Sequence, residues 1–293
     1  MKVEKMQRTR WSVLWFIMLT SVTVGEAREY HVSSQGNDAN TGSSTAPLRT
    51  IQSAADRAEP GDVVTLHEGI YRERIDPPRG GTSDERRILF QAALGEKVVI
   101  KGSEVIRHWK QVADDLWTVS LPNSFFGDFN PYADPIHGDF LFPNKQNQHT
   151  GQVYLDGNPL VEAASRDELD QSPGKLFWFA EVKDGVTTLW GRFQGVDPNE
   201  QTVEINVRQS IFYPSRERVD YVTVRGFEMS QAATNWAPPT AEQIGLIGTH
   251  WSKGWIIENN IIYADIGDNP GGGGGGGGTT SGPTLTAVTP PSA

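Results

Sequence analysis

The residues best suited to chemistry are carboxylates and aromatic rings beside one long loop. Glu228 lies between Phe227 and Met229, so the alternation of a strand points its carboxylate outward, next to the loop 230–252. A carboxylate at the border of a cleft can act as a general acid or base, which makes Glu228 the catalytic candidate among the residues present. The alternative is a solvated surface residue.

The loop 230–252 departs from the strand pattern for over 20 residues, which is far longer than an ordinary connection. Long loops of this kind often carry function. Trp236 is held between an asparagine and a pair of prolines, and a rigid aromatic ring can stack on the C–H face of a sugar. Its alternative role is packing of the loop. Trp251 and Trp255 are predicted to belong to the core.

A second group of candidates lies at Phe125–Phe126–Gly127–Asp128 and shortly after it. Asp128 and Asp139 could hydrogen-bond sugar hydroxyls, with Phe126 as an apolar neighbour. The alternative is a loop held together by its own aromatic rings. The predicted substrate-binding residues are therefore Trp236, Phe126, Asp128 and Asp139.

The sequence predicts neither a metal site nor a cofactor. The six histidines show no ligand spacing, and His31, His67 and His108 sit near strand ends, where structural roles prevail. Asp38 and Asp62 are isolated turn residues, so a calcium site of the lyase type is not indicated. The chain has no cysteine, which excludes thiol chemistry and disulfides.

A repeat near residue 260 indicates the architecture. The stretch 220–229 recurs 33 residues later at 253–262, with Val224 matching Ile257 and Gly226 matching Asn259. Short strands with a turn residue at a fixed offset predict a parallel β-helix, in which each coil needs a neighbour. The offset also places Glu258 beside Arg225, about 4.8 Å away across the strands, as a surface ion pair. Val98, Ile100, Gly102 and Val105 show the same spacing.

The middle of the chain follows a different sequence pattern. Alternating strands such as Val153–Tyr154–Leu155 are joined by the hairpin sequences Asp156–Gly157 and Asp184–Gly185. This pattern predicts a β-sandwich inserted into the helix. The fold class is therefore all-β, a right-handed parallel β-helix with an inserted β-sandwich. The predicted bounds are a signal peptide at 1–27, a cap and first coils at 28–102, the sandwich at 103–210, further coils at 211–266 and a disordered tail at 267–293.

The net charge of the chain and its N-terminal sequence restrict the possible binding partners and the cellular location. The net charge is −10, and removal of residues 1–27 leaves −12, which argues against nucleic acid or an anionic membrane as a partner. A basic start, an apolar run and Gly25–Glu26–Ala27 form a secretory signal, so the protein is predicted to be secreted or periplasmic and free of the membrane after cleavage. The sequence is compatible with a homo-oligomer.

The coil pattern runs to about residue 266 and then meets eight consecutive glycines at 271–278. The tail has no apolar periodicity and is predicted to be flexible. We expect the solenoid to be truncated at this end, because a solenoid normally ends in a cap.

Several stretches resemble a known family. The opening Tyr30–His31–Val32, together with 60–73 (PGDVVTLHEGIYRE), is widespread among secreted carbohydrate-active β-helices. Three narrower stretches resemble the β-xylosidases of glycoside hydrolase family 120, and the resemblance covers roughly residues 29 to 265. They are 121–132 (LPNSFFGDFNPY), 194–200 (QGVDPNE) and the segment from Gly226–Phe227–Glu228–Met229 through 232–241 (AATNWAPPTA) to 251–258 (WSKGWIIE).

The resemblance implies a right-handed β-helix interrupted by a β-sandwich, with the sugar cleft between them. It implies removal of terminal xylose from xylo-oligosaccharides with retention of configuration and without a cofactor, through an Asp and a Glu roughly 5–5.5 Å apart. No position of this chain matches those two residues, so the chain as given is expected to be inactive. The alternatives are a non-catalytic carbohydrate-binding β-helix, or a lyase, although the coils show no Arg/Lys cluster for a uronate.

Overall fold

The computed structural model describes residues 26–136, 148–234 and 244–263. The predicted signal peptide, apart from its last two residues, and the glycine run and tail lie outside these ranges.

In chain order the strands are β1 (Glu29–Val32), β2 (Val63–Leu66), β3 (Gly69–Tyr71), β4 (Ile88–Ala92), β5 (Val98–Lys101), β6 (Ser103–Val105), β7 (Lys110–Ala113), β8 (Leu116–Pro122), β9 (Val153–Leu155), β10 (Asn158–Pro159), β11 (Val161–Glu162), β12 (Phe177–Lys183), β13 (Val186–Arg192), β14 (Val203–Asn206), β15 (Val222–Arg225), β16 (Phe227–Ser230), β17 (Ile256–Glu258) and β18 (Ile261–Ile262). Helices α1 (Ile51–Arg57) and α2 (Arg166–Asp170) are short, and single 3₁₀ turns occur at Asp84–Arg86, Asn123–Phe126 and Pro131–Ala133. The all-β prediction is confirmed.

Two parallel sheets form the framework. The first has the strand order β1-β2-β4-β15-β17, and the second has the order β18-β16-β5-β3. From β2 onward the chain alternates between them, so that β2 is followed by β3, β4 by β5, β15 by β16 and β17 by β18. Further parallel bridges join Ile75 to Phe212 and Phe212 to Ile247. Successive passes of the chain therefore stack in register.

The 33-residue repeat has the predicted register. Val224 pairs with Ile257, and Met229 pairs with Ile262. Gly226 and Asn259 turn the chain between the two sheets with φ of +81° and +55°, in the left-handed region that glycine and asparagine tolerate best. The repeat thus fixes both the strands and the corner between them.

The earlier match with Val98 and Ile100 was wrong in its register. The first member of each repeat lies on the first sheet, whereas β5 lies on the second sheet. There Val98 pairs with Phe227 and Ile100 pairs with Met229. Both sheets bury alternate apolar side chains, as Phe90 in the first and Ile100 in the second illustrate, so the apolar alternation alone did not distinguish them.

Helix α1 covers one end of this framework. Ile51, Ala54, Ala55 and Ala58 occur at helical spacing in the sequence, and all four are buried. Thr50 caps the helix by accepting a hydrogen bond from the Ser53 amide. These four residues form the buried face of a short amphipathic helix.

Strands β6 to β14 form two sheets of their own. Their orders are β10-β9-β14-β6 and β11-β12-β13-β8-β7, and every pairing in them is antiparallel except β11 with β12. The hairpin sequences Asp156–Gly157 and Asp184–Gly185 join β9 to β10 and β12 to β13, with positive φ at all four residues. These sheets are referred to below as the insert; the exact domain bounds remain a prediction.

Each part has its own apolar core. The core of the parallel sheets draws only on residues before 101 and after 210, including Phe90, Phe212 and Phe227. The main core of the insert draws only on residues 106–207 and contains the fully buried Trp178. No helix of the described residues is long and apolar enough to cross a membrane.

Candidate functional site

The outer face of the second parallel sheet carries the residues of interest. Its strands bury Tyr71, Val98, Ile100, Phe227 and Met229, so the alternate side chains point away from the core. The strand register arranges these outward residues in two rows. One row is Ile70, Val99, Glu228 and Ile261; the other is Arg72, Lys101, Ser230 and Tyr263.

Glu228 lies on this face as predicted, opposite Ile261 of the next strand. Its carboxylate forms an ion pair with the Lys97 ammonium at 3.0 Å, and its side chain is 24% exposed. It borders an open groove of about 270 Å³, which is also lined by Glu96, Phe227 and Ile261. Its carboxylate thus lies at the edge of this groove, paired with Lys97.

A buried carboxylate lies at the other end of the same face, where the insert meets the coils. Glu204 of β14 is 1% exposed. It accepts hydrogen bonds from Arg72 at 2.5 Å, from Lys101 at 2.8 and 2.9 Å, and from the Gln231 amide at 3.0 Å. Arg72 and Lys101 belong to the row beside that of Glu228, about 7 Å along the strand.

The charge state of Glu204 follows from these contacts. Burial alone would raise its pKa, but the hydrogen bonds from Lys101 and Arg72 outweigh burial and lower the pKa below its ordinary value. Glu204 is thus ionised at neutral pH and has three donors on its carboxylate. It cannot donate a proton to a substrate, and we exclude it as a general acid.

The fold also brings together basic residues that are far apart in the sequence. The fold brings Arg72 and Lys101 to one carboxylate, and Arg208 lies nearby, bonded to Glu104 at 2.5 Å. Three cations therefore face two carboxylates. The sequence shows no cluster because these residues are separated by up to 136 positions.

Gln231 has unusual backbone geometry for a buried residue. It is 3% exposed and has φ of +60°, which is uncommon for a residue with a side chain. Its amide oxygen accepts a hydrogen bond from the Ser103 hydroxyl at 2.5 Å. Conformations of this kind persist where the surroundings fix them, and they cluster at functional sites. The predicted site loop starts next to this residue.

The structure describes two of the four predicted substrate-binding residues. Trp236 and Asp139 lie outside the described residues. Phe126 is 6% exposed and packs with Phe125 and Tyr132 in the insert, which gives its ring a packing role. Asp128 is exposed on the same loop. Within the described ranges, no hydrogen bond or ion pair joins this loop to Glu228, and the binding roles remain predictions.

The two tryptophans at the end of the loop differ. Trp255 packs against the core of the coils, and its indole N–H donates to the Val219 carbonyl at 2.6 Å, as expected for a core residue. Trp251 is 73% exposed, so its prediction as a core residue was wrong. Its φ of +54° follows that of His250, +45°, and this turn directs the ring away from the sheet.

Sequence reasoning also missed a chain of hydrogen-bonded side chains beside the groove. His31 Nδ1 and His67 Nε2 are 3.0 Å apart, and His67 Nδ1 is 3.1 Å from Glu96. The three residues come from β1, from the end of β2 and from the turn before β5. The parallel pairing of β1 with β2 brings the histidines together, and their spacing in the sequence carried no signal. Among the described residues, no group of three or more His, Asp or Glu could hold a metal ion.

Comparison with known proteins shows similarity to glycoside hydrolases. Residues 106–175, within the insert, match the family model "Glycoside hydrolase 120, insertion domain", and residues 34–77 match "Protein of unknown function (DUF1565)". The solved structure described as the complex of XylC with xylose is 49% identical, covers 80% of this chain and 40% of its own, and superposes with a TM-score of 0.76. These findings confirm the resemblance to the β-xylosidases of glycoside hydrolase family 120.

Two curated proteins match shorter stretches. Uncharacterized protein YwoF of Bacillus subtilis (strain 168) is 37% identical over 81 residues, 28% of this chain and 17% of its own. Pectate lyase PEL9 of Emericella nidulans is 36% identical over 81 residues, 27% of this chain and 20% of its own. The chain thus spans less than half the length of the XylC chain and about a fifth of these two.

Proposed function

We propose that this chain is part of a secreted β-xylosidase-like glycoside hydrolase that acts on terminal xylose of xylo-oligosaccharides. The observation that carries the proposal is the 49% identity to XylC, solved with xylose, over 80% of this chain. In this proposal the parallel sheets are coils of a right-handed β-helix, and the insert forms the second wall of the sugar cleft.

The pairing of the strands supports the β-helix. From β2 onward each pass contributes one strand to each parallel sheet, and the bridges of Ile75, Phe212 and Ile247 mark a third line of contact between passes. A three-sided coil has this arrangement, and each coil buries apolar side chains against its neighbours.

The proposed role of the described residues is sugar binding and support. A retaining mechanism requires two carboxyl groups about 5–5.5 Å apart, one nucleophile and one acid/base. Glu204 is excluded as the acid by its charge state, and Glu228 has a lysine partner and an open groove beside it. We therefore propose that Glu228 binds sugar hydroxyls, and that the catalytic Asp and Glu implied by the resemblance lie on other coils of the complete enzyme.

The proposal is tested by titrating the chain with xylose and xylobiose in a calorimeter. Binding is expected, and Trp236→Ala should weaken it by about 1–3 kcal/mol, the contribution of a buried aromatic side chain. Trp251→Ala removes an exposed indole from the same segment and should leave the affinity unchanged. Equal affinities of Trp236→Ala and the parent chain would remove Trp236 from the site.

The products distinguish the rival functions. A β-xylosidase releases xylose from a β-xyloside, whereas a lyase releases an unsaturated uronide that absorbs in the ultraviolet. The match to pectate lyase PEL9 motivates the second assay. Arg72 and Lys101 share Glu204, and Arg208 is bonded to Glu104, so these cations are not free for a uronate. Binding without either product, in the complete enzyme, would favour the non-catalytic alternative.

A further inference from the structure

The junction between the coils and the insert converges on one carboxylate. Glu204 is supplied by the insert, and its three partners come from three successive passes of the chain through the second sheet. Arg72 follows β3, Lys101 ends β5 and Gln231 follows β16. A single buried side chain therefore links the insert to three adjacent coils.

The backbone is joined at the same place. The Gly102 carbonyl accepts hydrogen bonds from the amides of Val207 and Arg208, at 3.0 and 3.1 Å, where the insert ends. The Gly102 amide donates to the Ser230 carbonyl, and the Ala233 amide donates to the Arg208 carbonyl at 2.8 Å. The approach is close, since a Cβ on Gly102 would lie 2.6 Å from the Gln231 carbonyl oxygen.

The side chain of Gln231 is held at both ends. Its amide nitrogen donates to Glu204, and its amide oxygen accepts from Ser103, whose hydroxyl in turn receives a bond from Arg72 at 2.8 Å. Because its backbone is in the left-handed region, these contacts oppose relaxation to a more ordinary conformation. The direction in which the chain leaves β16 depends on this residue.

We propose that Glu204 is a positioning residue for the sugar cleft. It holds Gln231 in the left-handed conformation and so sets the direction of Ala232 and Ala233, while it joins the insert to the strands of the second sheet. The expected effect on sugar binding rests on the proposed function. The expected effect on the conformation of Gln231 is independent of it.

The test compares Glu204→Gln with Asp115→Asn. The substituted glutamine keeps the shape of the side chain but leaves Arg72 and Lys101 without their counter-charge. Asp115 is also a buried carboxylate, bonded to Arg192, but both residues lie within the insert and away from the coils. The control therefore removes a buried charge of the same kind without touching the junction.

Two readouts are needed. Amide hydrogen exchange at Ala233 should be about tenfold to a hundredfold faster in Glu204→Gln, the change expected for losing hydrogen bonds to a charged group, and unchanged in Asp115→Asn. Xylose affinity should fall about tenfold in Glu204→Gln alone. Melting curves of both variants show whether each remains folded.

If Glu204→Gln does not fold, Ser103→Ala tests the same link, since it removes only the hydroxyl that bonds Gln231 and Arg72. A smaller increase in amide exchange at Ala233 and a smaller loss of xylose affinity are then expected. Unchanged exchange at Ala233 in a folded variant would overturn the positioning role. Failure of the parent chain to bind xylose would instead overturn the proposed function, and the exchange result would still decide the role of Glu204.

Discussion

At the scale of single residues, polar side chains connect successive coils on the outer face of the first sheet. Thr65 donates to Glu29 at 2.6 Å, Gln91 donates to Thr65 at 3.1 Å, and Arg225 donates to Gln91 at 2.6 Å. Arg225 also pairs with Glu258 at 3.7 Å, as the 33-residue offset predicted. Because Arg225 and Glu258 are both about 40% exposed, this ion pair contributes little to stability.

Asn260 makes a buried link between two successive passes of the chain. Its side chain is buried, accepts from the Phe227 amide at 3.0 Å and donates to the Val224 carbonyl at 2.9 Å. Asn260→Ala should lower the free energy of unfolding by about 1–3 kcal/mol, because two buried backbone groups lose their partner. The neighbouring substitution Asn259→Gly is the control, since Asn259 is exposed and its positive φ suits glycine. Urea denaturation measures both, and equal midpoints would contradict the prediction.

A pH dependence is expected at Glu96. The Glu68 amide and then His67 hydrogen-bond its carboxylate and lower its pKa. A carboxyl group with a lowered pKa in the folded state stabilises the fold above its unfolded pKa, and this contribution is lost as the pH falls through the lowered value. The stability difference between the parent chain and Glu96→Gln should thus be present at neutral pH and vanish in acid. Glu181→Gln, at an exposed strand position, should show no such change; parallel urea titrations at the two pH values decide.

At the scale of elements, helix α1 is held by a carboxylate from a later part of the chain. Glu73 accepts hydrogen bonds from the amides of Ile51 and Gln52, at 2.9 and 3.0 Å, and so satisfies two amides of the first turn. Burial raises the pKa of Glu73, and these backbone bonds offset part of that rise. The helix thus depends on a residue 22 positions further along the chain.

Removal of the N-cap tests the stability of this helix. Thr50→Ala deletes the bond to the Ser53 amide and the bond from the Thr50 hydroxyl to Asp38 at 2.9 Å. The free energy of unfolding should fall by about 1 kcal/mol. Thr50→Ser keeps the hydroxyl and should retain most of the stability, which distinguishes capping from loss of the methyl group. Thermal unfolding of the three proteins provides the measurement.

The sequence predicted those elements whose signals are local. Both Asp–Gly hairpins and the register of β15 with β17 depend on patterns within a few residues or on one internal repeat. Strand β5 was assigned to the wrong sheet, because alternation marks a strand without marking its neighbours. Trp251 was wrongly predicted to be buried because its turn depends on two consecutive residues with positive φ, His250 and Trp251. Neither is a glycine, so the turn has no signal in the sequence.

At the scale of the whole molecule, the junction around Glu204 could not be predicted. In the sequence Glu204 resembles any outward polar residue of a strand with alternating polarity, and its partner Arg72 lies 132 positions earlier. The resemblance implied that a cleft lies between the coils and the insert, but it named no residue there. Glu228 was found because its local pattern fixes the direction of its side chain, and Lys97 was missed because it belongs to a different pass of the chain.

The separation of the two apolar cores leads to a prediction about the insert. Its main core uses only residues 106–207, with Trp178 and Leu189 fully buried. The segment 103–208 expressed alone should therefore fold and melt in a single cooperative transition. The segment 28–102 alone should not, because its coils lack the neighbours that complete their core. Near-ultraviolet circular dichroism during heating distinguishes the two, and a featureless spectrum of the isolated insert would contradict its independence.

The meeting of the two ends of the insert at Gly102 also has a kinetic consequence. Strand β4 pairs with β15 across more than a hundred residues, as the 134-residue separation of Gln91 and Arg225 illustrates. Closing so long a flexible loop is entropically unfavourable and slow. Once the insert has folded, its ends lie at Gly102, and only a short connection separates the outgoing from the returning strand. Folding of the insert first is therefore expected to shorten the loop between β4 and β15, and synthesis on the ribosome delivers the residues of the insert before those of β15.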